Sequence, residues 1–303
     1  MLRNFTIANQ YKIMTFNFYK YFSRKRITMV AMAFLFTVCA SAHYFPFQWG
    51  EKLTFTIHYK WGFSADVGTA AFELRESEYN NVPAYHIFAD AKSNGFFDGI
   101  YKVRDTYESK FAMDDLRPLW FHRTAEEGNK YTAENEMICS DGGKTIHTKV
   151  VKSTRPPVDT IAHTEEVTRD LMNFYYYLRT MDLEKLEQNG EQYFLGLLDR
   201  NIIMVGVRVL RHEQKKISGI GKFNTVVVGF RMKSYKLDQV QDDGRFSIAD
   251  SVGGEKDSII MWLTEDENHR PVLFSAPVTI GSINGRLSAY EGLKYPLNSL
   301  TTK

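Results

Sequence analysis

The sequence predicts an all-β fold, mainly antiparallel, in which a curved open sheet or incomplete barrel carries one packed helix around residues 164–188. Three observations support this prediction. Large apolar and polar side chains alternate over residues 53–61, as in a strand with one buried face. Short turn-rich segments without helices separate the strand-like runs, which favours antiparallel meanders over parallel β-α-β units. The long helical pattern lies in the middle of the chain.

Strand-like runs lie on both sides of this helix. They are rich in β-branched and aromatic residues and are bounded by turn-forming clusters, as is typical of strands. Before the helix the predicted strands are residues 53–61, 67–75, 84–92, 101–111, 119–126, 130–139 and 144–151. After it they are residues 192–198, 202–210, 213–218, 222–232, 258–264, 272–277 and 281–290. Residues 238–257 are polar and charge-rich, so a long loop or mobile flap is predicted there.

The predicted helix has an apolar face and a signal at each end. Thr164, followed by two glutamates, is a suitable start, and Asn189 with Gly190 is a suitable stop. Pro156 and Pro157 end the strand-like pattern before it. They could mark a domain boundary, but neither half of the chain has its own set of helices or a linker-like composition. The apolar positions at helical spacing are Val167, Leu171, Phe174, Tyr175 and Leu178.

Residues 1–42 have the pattern of a cleaved secretory signal peptide. Three basic residues at 24–26 precede an apolar run over 27–38, and Ala40-Ser41-Ala42 fits cleavage before His43. The run is shorter than a membrane span of about 20 apolar residues, although an uncleaved anchor is the alternative. We therefore predict one β-rich domain over residues 43–303. It would be exported across the inner membrane, periplasmic or associated with the outer envelope, and without a membrane span after cleavage.

Charge and cysteine content narrow the environment and the partners. The whole chain has a net charge of +2, but residues 1–42 contain basic residues and no acidic ones. The rest of the chain has 32 basic and 36 acidic residues, and its net charge is therefore −4. This balance argues against a nucleic-acid partner. After cleavage Cys139 is the one remaining thiol, so we expect no internal disulfide and a core that carries the stability alone. Cys139 itself is interpreted as a small strand residue rather than a nucleophile.

Several short motifs follow one another in a characteristic order. They are the opening strand of residues 45–55, the turn at residues 68–70, Ser93 with residues 101–105, the pair Asp170-Leu171, the turn at residues 219–223, and residues 262–266 followed by residues 270–272. In this order they resemble the exported bacterial family catalogued as domain of unknown function 3108, in a version close to those of Bacteroides-like bacteria. The resemblance covers residues 45–290 and implies an exported β-rich fold. Because that family has no established activity, the resemblance implies no catalytic residues.

No motif in the sequence predicts a particular chemistry. The histidines are scattered singly, and neither a His-Glu-x-x-His zinc motif nor a Gly-x-Ser-x-Gly nucleophile elbow is present. The acidic stretch at residues 265–269 lacks the spacing of a calcium loop and is interpreted as a turn. We therefore predict no catalytic residue, no metal ligand and no cofactor. A cluster of histidine and acid assembled from distant strands would instead favour an uncharacterised hydrolase.

Aromatic residues exceed what one strand face needs, and they carry the functional hypothesis. The simplest interpretation is that they fill the core of a large disulfide-free β fold. The alternative is that some line a concave surface for a lipid-like chain or a sugar, with residues 95–99 as a mobile entrance. On that hypothesis the protein is a non-enzymatic envelope carrier for a hydrophobic or glycan ligand. An envelope scaffold that contacts other envelope proteins, without a small-molecule ligand, is the second hypothesis. The candidate binding residues are Phe96, Phe97, Tyr101, Tyr175 and Tyr176.

Overall fold

One large sheet organises the residues that the structure describes. The structure is a computed structural model, and it describes residues 45–128, 130–235, 259–278 and 281–302. The helices are α1 Gly95–Tyr101, α2 Leu171–Arg179 and α3 Leu183–Asn189. The strands are β1 Lys52–Trp61, β2 Phe63–Tyr79, β3 Val82–Ser93, β4 Val103–Ala112, β5 Pro118–Glu127, β6 Tyr131–Ser140, β7 Thr145–Lys152, β8 Arg155–His163, β9 Thr168–Arg169, β10 Gln192–Leu198, β11 Asn201–Ile217, β12 Gly221–Ser234, β13 Ile259–Thr264, β14 Pro271–Pro277, β15 Ser282–Glu291 and β16 Leu300–Thr302.

The sheet is mostly antiparallel, and its order follows the chain. Strands β1 to β8 lie side by side, and β1 also pairs with β15, from which the order runs back through β14 to β9. Strand β9 runs parallel to β10, and β16 pairs with β12 off this path. Within the described ranges no backbone pairing joins β8 to β9, so the sheet is not closed. The predicted fold class, a mainly antiparallel open sheet with packed helix, is confirmed.

Side chains hold the strands near the two edges of this sheet close to each other. An apolar cluster joins residues of β6 and β7 to residues of β10 and β11. Asp199, between β10 and β11, forms an ion pair with Lys152 of β7 and accepts a hydrogen bond from Asn135 of β6 at 2.6 Å. The result is an incomplete barrel with a side-chain seam. The buried members of the seam cluster are Met137, Cys139, Ile146, Leu195, Leu197 and Ile202.

The helix predicted over residues 164–188 is present as two shorter helices. Asp170 caps α2, because its Oδ1 accepts hydrogen bonds from the backbone N–H groups of Met172 and Asn173, both at 2.9 Å. Thr168 and Arg169, just before this cap, form the short strand β9 instead of a first helical turn. Asp182 caps α3 in the same way, accepting from the N–H of Lys185 at 3.0 Å. Two aspartate caps therefore decide where the helices begin.

Helix α2 lies between two walls of the sheet. Met172 and Tyr176 pack with buried residues of β2, β3 and β4. Phe174 and Leu178, on the opposite face, pack with buried residues of β11, β12 and β13. Six of the nine residues of α2 are buried, so the helix forms the centre of the core rather than a cover over one side. The two walls differ in composition: the first is largely aromatic, and the second is aliphatic.

Predicted and observed elements differ in three further places. Residues 202–210 and 213–218 form one strand, β11, which has a register shift after Val209. Pro156 and Pro157 lie inside β8, an edge strand, at a register shift where neither is paired with a residue of β7. Residues 95–101 form α1, capped by Asn94, whose Oδ1 accepts from the N–H of Phe97 at 3.1 Å. The predicted signal peptide (1–42) and loop (238–257) lie outside the described residues.

Candidate ligand cavity

An apolar cavity of about 90 Å³ lies between α2 and the aliphatic wall. Its lining is almost entirely carbon, so it offers burial of apolar surface but few hydrogen-bonding groups. The helix contributes large apolar and aromatic side chains on one side, and four neighbouring strands, β10 to β13, contribute the other side. The lining includes Phe174, Tyr175, Leu178, Val205, Phe230 and Met261.

Helical and strand periodicity together create this cavity. Phe174 and Leu178 are four residues apart on α2 and share one face. Opposite them, alternate residues of β11, β12 and β13 face the helix, because Val205 is paired with Met232 and Phe230 with Ile259. The helix is therefore held against the wall by large side chains at intervals, and the space between them remains unfilled.

The cavity opens to solvent at a rim of partly exposed apolar residues. Leu171, the first residue of α2, is 45% exposed. Leu198, Ile259 and Met261 are half-buried. A volume of about 90 Å³ is smaller than the roughly 150 Å³ apolar cavity known to bind benzene, and far below the roughly 300 Å³ of a full drug-sized pocket. The cavity therefore suits a short or terminal piece of an apolar chain.

The charged residues at the start of α2 are used within the protein. Asp170 accepts a hydrogen bond from Ser109 Oγ at 2.8 Å in addition to capping α2. Its burial raises the pKa of its carboxyl to about 6, against the opposing effect of these hydrogen bonds. Arg169 donates to the carbonyl of Leu116 at 2.6 Å and lies 3.8 Å above the ring of Tyr177. Both charges therefore serve internal contacts at this end of the cavity.

The structure divides the five predicted binding residues among three environments. Tyr175 lines the cavity. Tyr176 faces the aromatic wall, where its ring contacts Phe47 and its hydroxyl donates to Glu51 at 3.1 Å. The rings of Tyr175 and Tyr176 touch each other at 4.9 Å between centroids, but they face different surroundings. Sequence alone does not separate them, because neighbouring residues of a helix differ only in the side they face.

The other three predicted residues lie on α1, at the surface. Phe96 is 76% exposed and contacts Phe97 at 5.2 Å between ring centroids. Tyr101 is 53% exposed and donates to Glu127 at 3.2 Å. Helix α1 follows the last residue of β3. The strand register places this point at the same side of the sheet as the last residues of β12 and the first residues of β13. Those strand ends border the cavity, but among the described residues α1 contributes none of its lining.

A buried ion pair that no sequence motif predicts lies at the other end of α2. Arg179 and Glu51 are both 0% exposed and form two hydrogen bonds, at 2.5 and 2.8 Å. Arg179 also donates to the carbonyls of Asn268 at 3.1 Å and Pro46 at 3.3 Å. Burial alone would lower the pKa of Arg179, but the charge of Glu51 raises it above the ordinary value. This pair fixes α2 to the segment before β1.

A second fully buried arginine has a different environment. Arg270, just before β14, is 0% exposed, and within the described residues none of its three guanidinium nitrogens has a hydrogen-bond partner. The guanidinium lies 4.0 Å from the ring centroid of Tyr290 and 5.7 Å from that of Phe223. Burial lowers the pKa of Arg270 to about 10. In the sequence its one visible signal is a single charge placed directly before an apolar strand.

A serine, a histidine and an aspartate meet on the hairpin of β1 and β2. Nε2 of His58 lies 2.6 Å from Oγ of Ser64, and Nδ1 of His58 lies 2.9 Å from Oδ1 of Asp66. Register brings them together, because His58 is paired with Asp66 and Lys60 with Ser64. This is the connectivity of a Ser-His-Asp triad. It lies on an exposed strand face, and Ser64 and Asp66 are exposed.

The described residues contain neither a metal-binding cluster nor a membrane-spanning helix. In these ranges no three His, Cys, Asp or Glu side chains are grouped in a way that could hold a metal ion. None of the described helices has the length and hydropathy needed to cross a bilayer. Cys139 is buried, and burial raises the pKa of its thiol, which agrees with its interpretation as an unreactive strand residue.

Comparison with known proteins agrees with the fold. The model of the family DUF3108, described as protein of unknown function, matches residues 54–288, which confirms that the sequence motifs identify this family. A solved structure with a similar fold is the beta-barrel-like protein of domain of unknown function DUF1849 from Brucella abortus. It has a TM-score of 0.50 and 8% identity, over 81% of this chain and 98% of that chain. At this identity the likeness concerns the fold alone. No curated protein matches the chain.

Proposed function

The chain belongs to the DUF3108 family of proteins of unknown function, and from this premise we propose that it is an exported envelope protein that binds an apolar chain in the cavity beside α2. The observation that carries this proposal is the open, carbon-lined space between Phe174, Leu178 and the aliphatic wall. A hydrophobic ligand is favoured over a glycan, because a sugar requires several hydrogen-bonding groups and this lining has few. The role is binding or carriage rather than catalysis.

Binding of 1-octanol, followed by isothermal titration calorimetry, tests the cavity. We expect saturable binding with a negative heat-capacity change, because apolar surface is buried. Met261→Trp places a large side chain at the half-buried rim and should weaken binding at least about tenfold. Leu171→Trp, at the exposed mouth, is a second blocking variant that disturbs the core less. Ile161→Trp adds the same bulk on the exposed face of β8 and should bind like the wild type.

The proposal fails if the wild-type protein does not bind 1-octanol, or if both blocking variants bind it as well as Ile161→Trp does. Native mass spectrometry of the protein purified from its host gives an independent measurement. A co-purifying lipid released by organic extraction supports carriage. If an oligosaccharide co-purifies instead, the natural ligand is a glycan and the proposal of a hydrophobic ligand is wrong.

Export of the protein is the second part of the proposal, and it rests on the signal-peptide pattern of residues 1–42. The full chain expressed in a Gram-negative host should be recovered from the periplasm or outer envelope with His43 as its first residue. The measurement is N-terminal sequencing of each cell fraction. Retention of residues 1–42, or recovery in the cytoplasm, would contradict it. Envelope proteins captured with the mature chain, but no lipid, would favour the scaffold hypothesis.

Ester hydrolysis is a second candidate function, favoured by the arrangement of Ser64, His58 and Asp66. In such a reaction the Ser64 hydroxyl attacks an ester carbonyl while His58 Nε2 takes its proton. The leaving alcohol then receives that proton, and an acyl-serine remains. Water, deprotonated by His58, releases the acid and restores the hydroxyl. An exposed strand face provides no enclosed site for stabilising the oxyanion, so the cavity is the stronger basis for a function.

A fluorophosphonate probe distinguishes this candidate directly. If the triad is active, the probe labels Ser64 and labelling disappears in Ser64→Ala and His58→Ala. Ser288→Ala, on the exposed face of β15, should leave labelling unchanged. An unlabelled wild-type protein excludes serine-esterase chemistry at this hairpin.

A further inference from the structure

Two buried polar groups, one at the cavity and one against the apolar cluster on which Tyr175 packs, have no hydrogen-bond partner among the described residues. One is the hydroxyl of Tyr175, whose ring lines the cavity. The other is the guanidinium of Arg270, in which Nε and both Nη atoms are unpartnered. Buried polar groups in native proteins are nearly always hydrogen-bonded, and an unpaired buried charge is costly. An unsatisfied hydroxyl and an unsatisfied cation in one region therefore point to an absent binding partner.

The nearby acidic side chains are already engaged elsewhere. Glu51 gives both carboxylate oxygens to Arg179. Asp266 accepts hydrogen bonds from three other residues of its own turn and of the C-terminal segment. The groups that lie against Arg270 are instead aromatic rings. They attract the cation through their faces, but they accept no hydrogen bond from its N–H groups. No internal carboxylate of the described residues neutralises Arg270 by direct contact.

Tyr175 connects Arg270 to the cavity. The rings of Phe223 and Tyr290, over which Arg270 lies, belong to the same apolar cluster against which Tyr175 packs. Burial raises the pKa of Tyr175, while the positive charges of Arg179 and Arg270 act on its hydroxyl in the opposite direction. The hydrogen bonds of Arg179 go to Glu51 and to two carbonyls, and the Tyr175 hydroxyl is not among their acceptors.

We propose that Tyr175 and Arg270 bind the anionic head group of a single-chain amphiphile whose apolar chain lies in the cavity beside α2. This inference rests on the proposed function. A carboxylate or a phosphate provides both the negative charge that Arg270 lacks and acceptor oxygens for the Tyr175 hydroxyl. The head lies inward, beyond the ring of Tyr175, and the chain extends toward the rim at Leu171.

Three eight-carbon probes at pH 8 test the head group: octanoate, octyl phosphate and uncharged 1-octanol. The wild-type protein should bind at least one of the two anions about tenfold or more tightly than 1-octanol, because hydrogen bonds to charged groups are the stronger ones. The anion that binds more tightly identifies the head as a carboxylate or a phosphate. Isothermal titration calorimetry measures all three affinities, with the protein purified after expression of the full chain.

Two variants and a control assign the preference to these residues. Arg270→Met and Tyr175→Phe should each reduce the ratio of anion affinity to 1-octanol affinity at least about fivefold. The ligand-free variants should melt at a temperature no lower than that of the wild type, because each loses an unsatisfied buried group. Lys149→Met removes one positive charge from the exposed face of β7 and should leave the preference unchanged.

The outcomes separate the two proposals. If 1-octanol binds as tightly as both anions, the cavity binds apolar chains and the head-group inference is wrong. If no probe binds, the proposed function fails as well. If the anion preference survives in both Arg270→Met and Tyr175→Phe, the head is bound elsewhere and the inference is overturned.

Discussion

Two arginines of the described ranges are completely buried, Arg179 and Arg270, and they have opposite environments. Arg179 makes four hydrogen bonds, two to Glu51 and two to backbone carbonyls. Arg270 has aromatic rings against it and no hydrogen-bond partner among the described residues. Both are 0% exposed, so burial alone does not distinguish them. Their hydrogen-bond partners do.

This difference separates a charge that supports the fold from one that is available for binding. Removing one member of a satisfied buried pair leaves the other member uncompensated and costs several kcal/mol. Removing a charge that has no partner takes away a cost instead. The measured sign of the stability change on substitution therefore reports which kind of buried charge is present. That sign can be measured at the two arginines, at Asp170 and at two neighbouring tyrosines, in decreasing order of expected effect.

Substitution of Arg179 should produce the largest effect. Arg179→Met leaves the carboxylate of Glu51 buried without its cation and removes the bonds that fix the end of α2, so we expect a loss of about 3–5 kcal/mol in the free energy of unfolding. Arg270→Met should leave the free energy of unfolding unchanged or raise it, because it removes a buried charge that has no partner. Urea denaturation of both variants at pH 7 measures the difference. Equal losses in the two variants would show that Arg270 is as structural as Arg179.

Asp170 is an intermediate case, because its buried carboxyl has three hydrogen bonds but no ion pair among the described residues. Its folded-state pKa of about 6 lies above the ordinary 3.8. The folded protein therefore binds the proton more tightly than the unfolded chain, and stability falls as pH rises from about 4 to 6. The resulting cost, fully present above pH 6, is about 3 kcal/mol.

Asp170→Asn should remove this pH dependence. Asparagine keeps the cap, and its amide can donate to the Ser109 hydroxyl. We expect the variant to be more stable than the wild type at pH 8, by at most about 3 kcal/mol, and nearly equal to it at pH 4. Asp182→Asn, at the exposed cap of α3, is the matched control. The pKa of Asp182 is lowered, chiefly by its hydrogen bond with Lys185, so its substitution should lower stability at pH 8 rather than raise it.

The sheet is largely predictable from the sequence because its signal is local. Alternation over residues 53–61 locates β1, Lys52–Trp61, to within one residue, since each strand shows its buried face in its own side chains. Strand β8 escapes prediction because Pro156 and Pro157 are breakers everywhere except in an edge strand. The start of α2 is placed too early because Thr164 and its glutamates also form a cap pattern. Asp170 prevails through its two hydrogen bonds to the helix backbone.

The candidate site is much less predictable, because its properties depend on which groups meet in space. Tyr175 can be chosen from the sequence only as one aromatic among several. Whether Arg270 has a partner depends on residues distant in the chain, such as Phe223, and on acids that are engaged elsewhere. A single charge before an apolar strand marks Arg270 as unusual. The sequence does not show that Arg270 lacks a hydrogen-bond partner while Arg179 has one.

Tyr175 and Tyr176 provide the smallest and most direct test of the comparison, because they are adjacent, chemically identical and both in the core. The Tyr176 hydroxyl donates to Glu51 at 3.1 Å and so belongs to the satisfied network of Arg179. Tyr176→Phe should therefore cost about 1–2 kcal/mol.

The Tyr175 hydroxyl is buried without a partner among the described residues, so Tyr175→Phe should leave the ligand-free protein unchanged or stabilise it by about 1 kcal/mol. Urea midpoints at a constant m-value measure both changes. Equal destabilisation by the two substitutions would mean that the Tyr175 hydroxyl has a partner within the protein. Tyr175 would then be hydrogen-bonded within the protein, as Tyr176 is. The proposed link between the cavity and Arg270 would be lost, since it depends on an unpartnered Tyr175 hydroxyl.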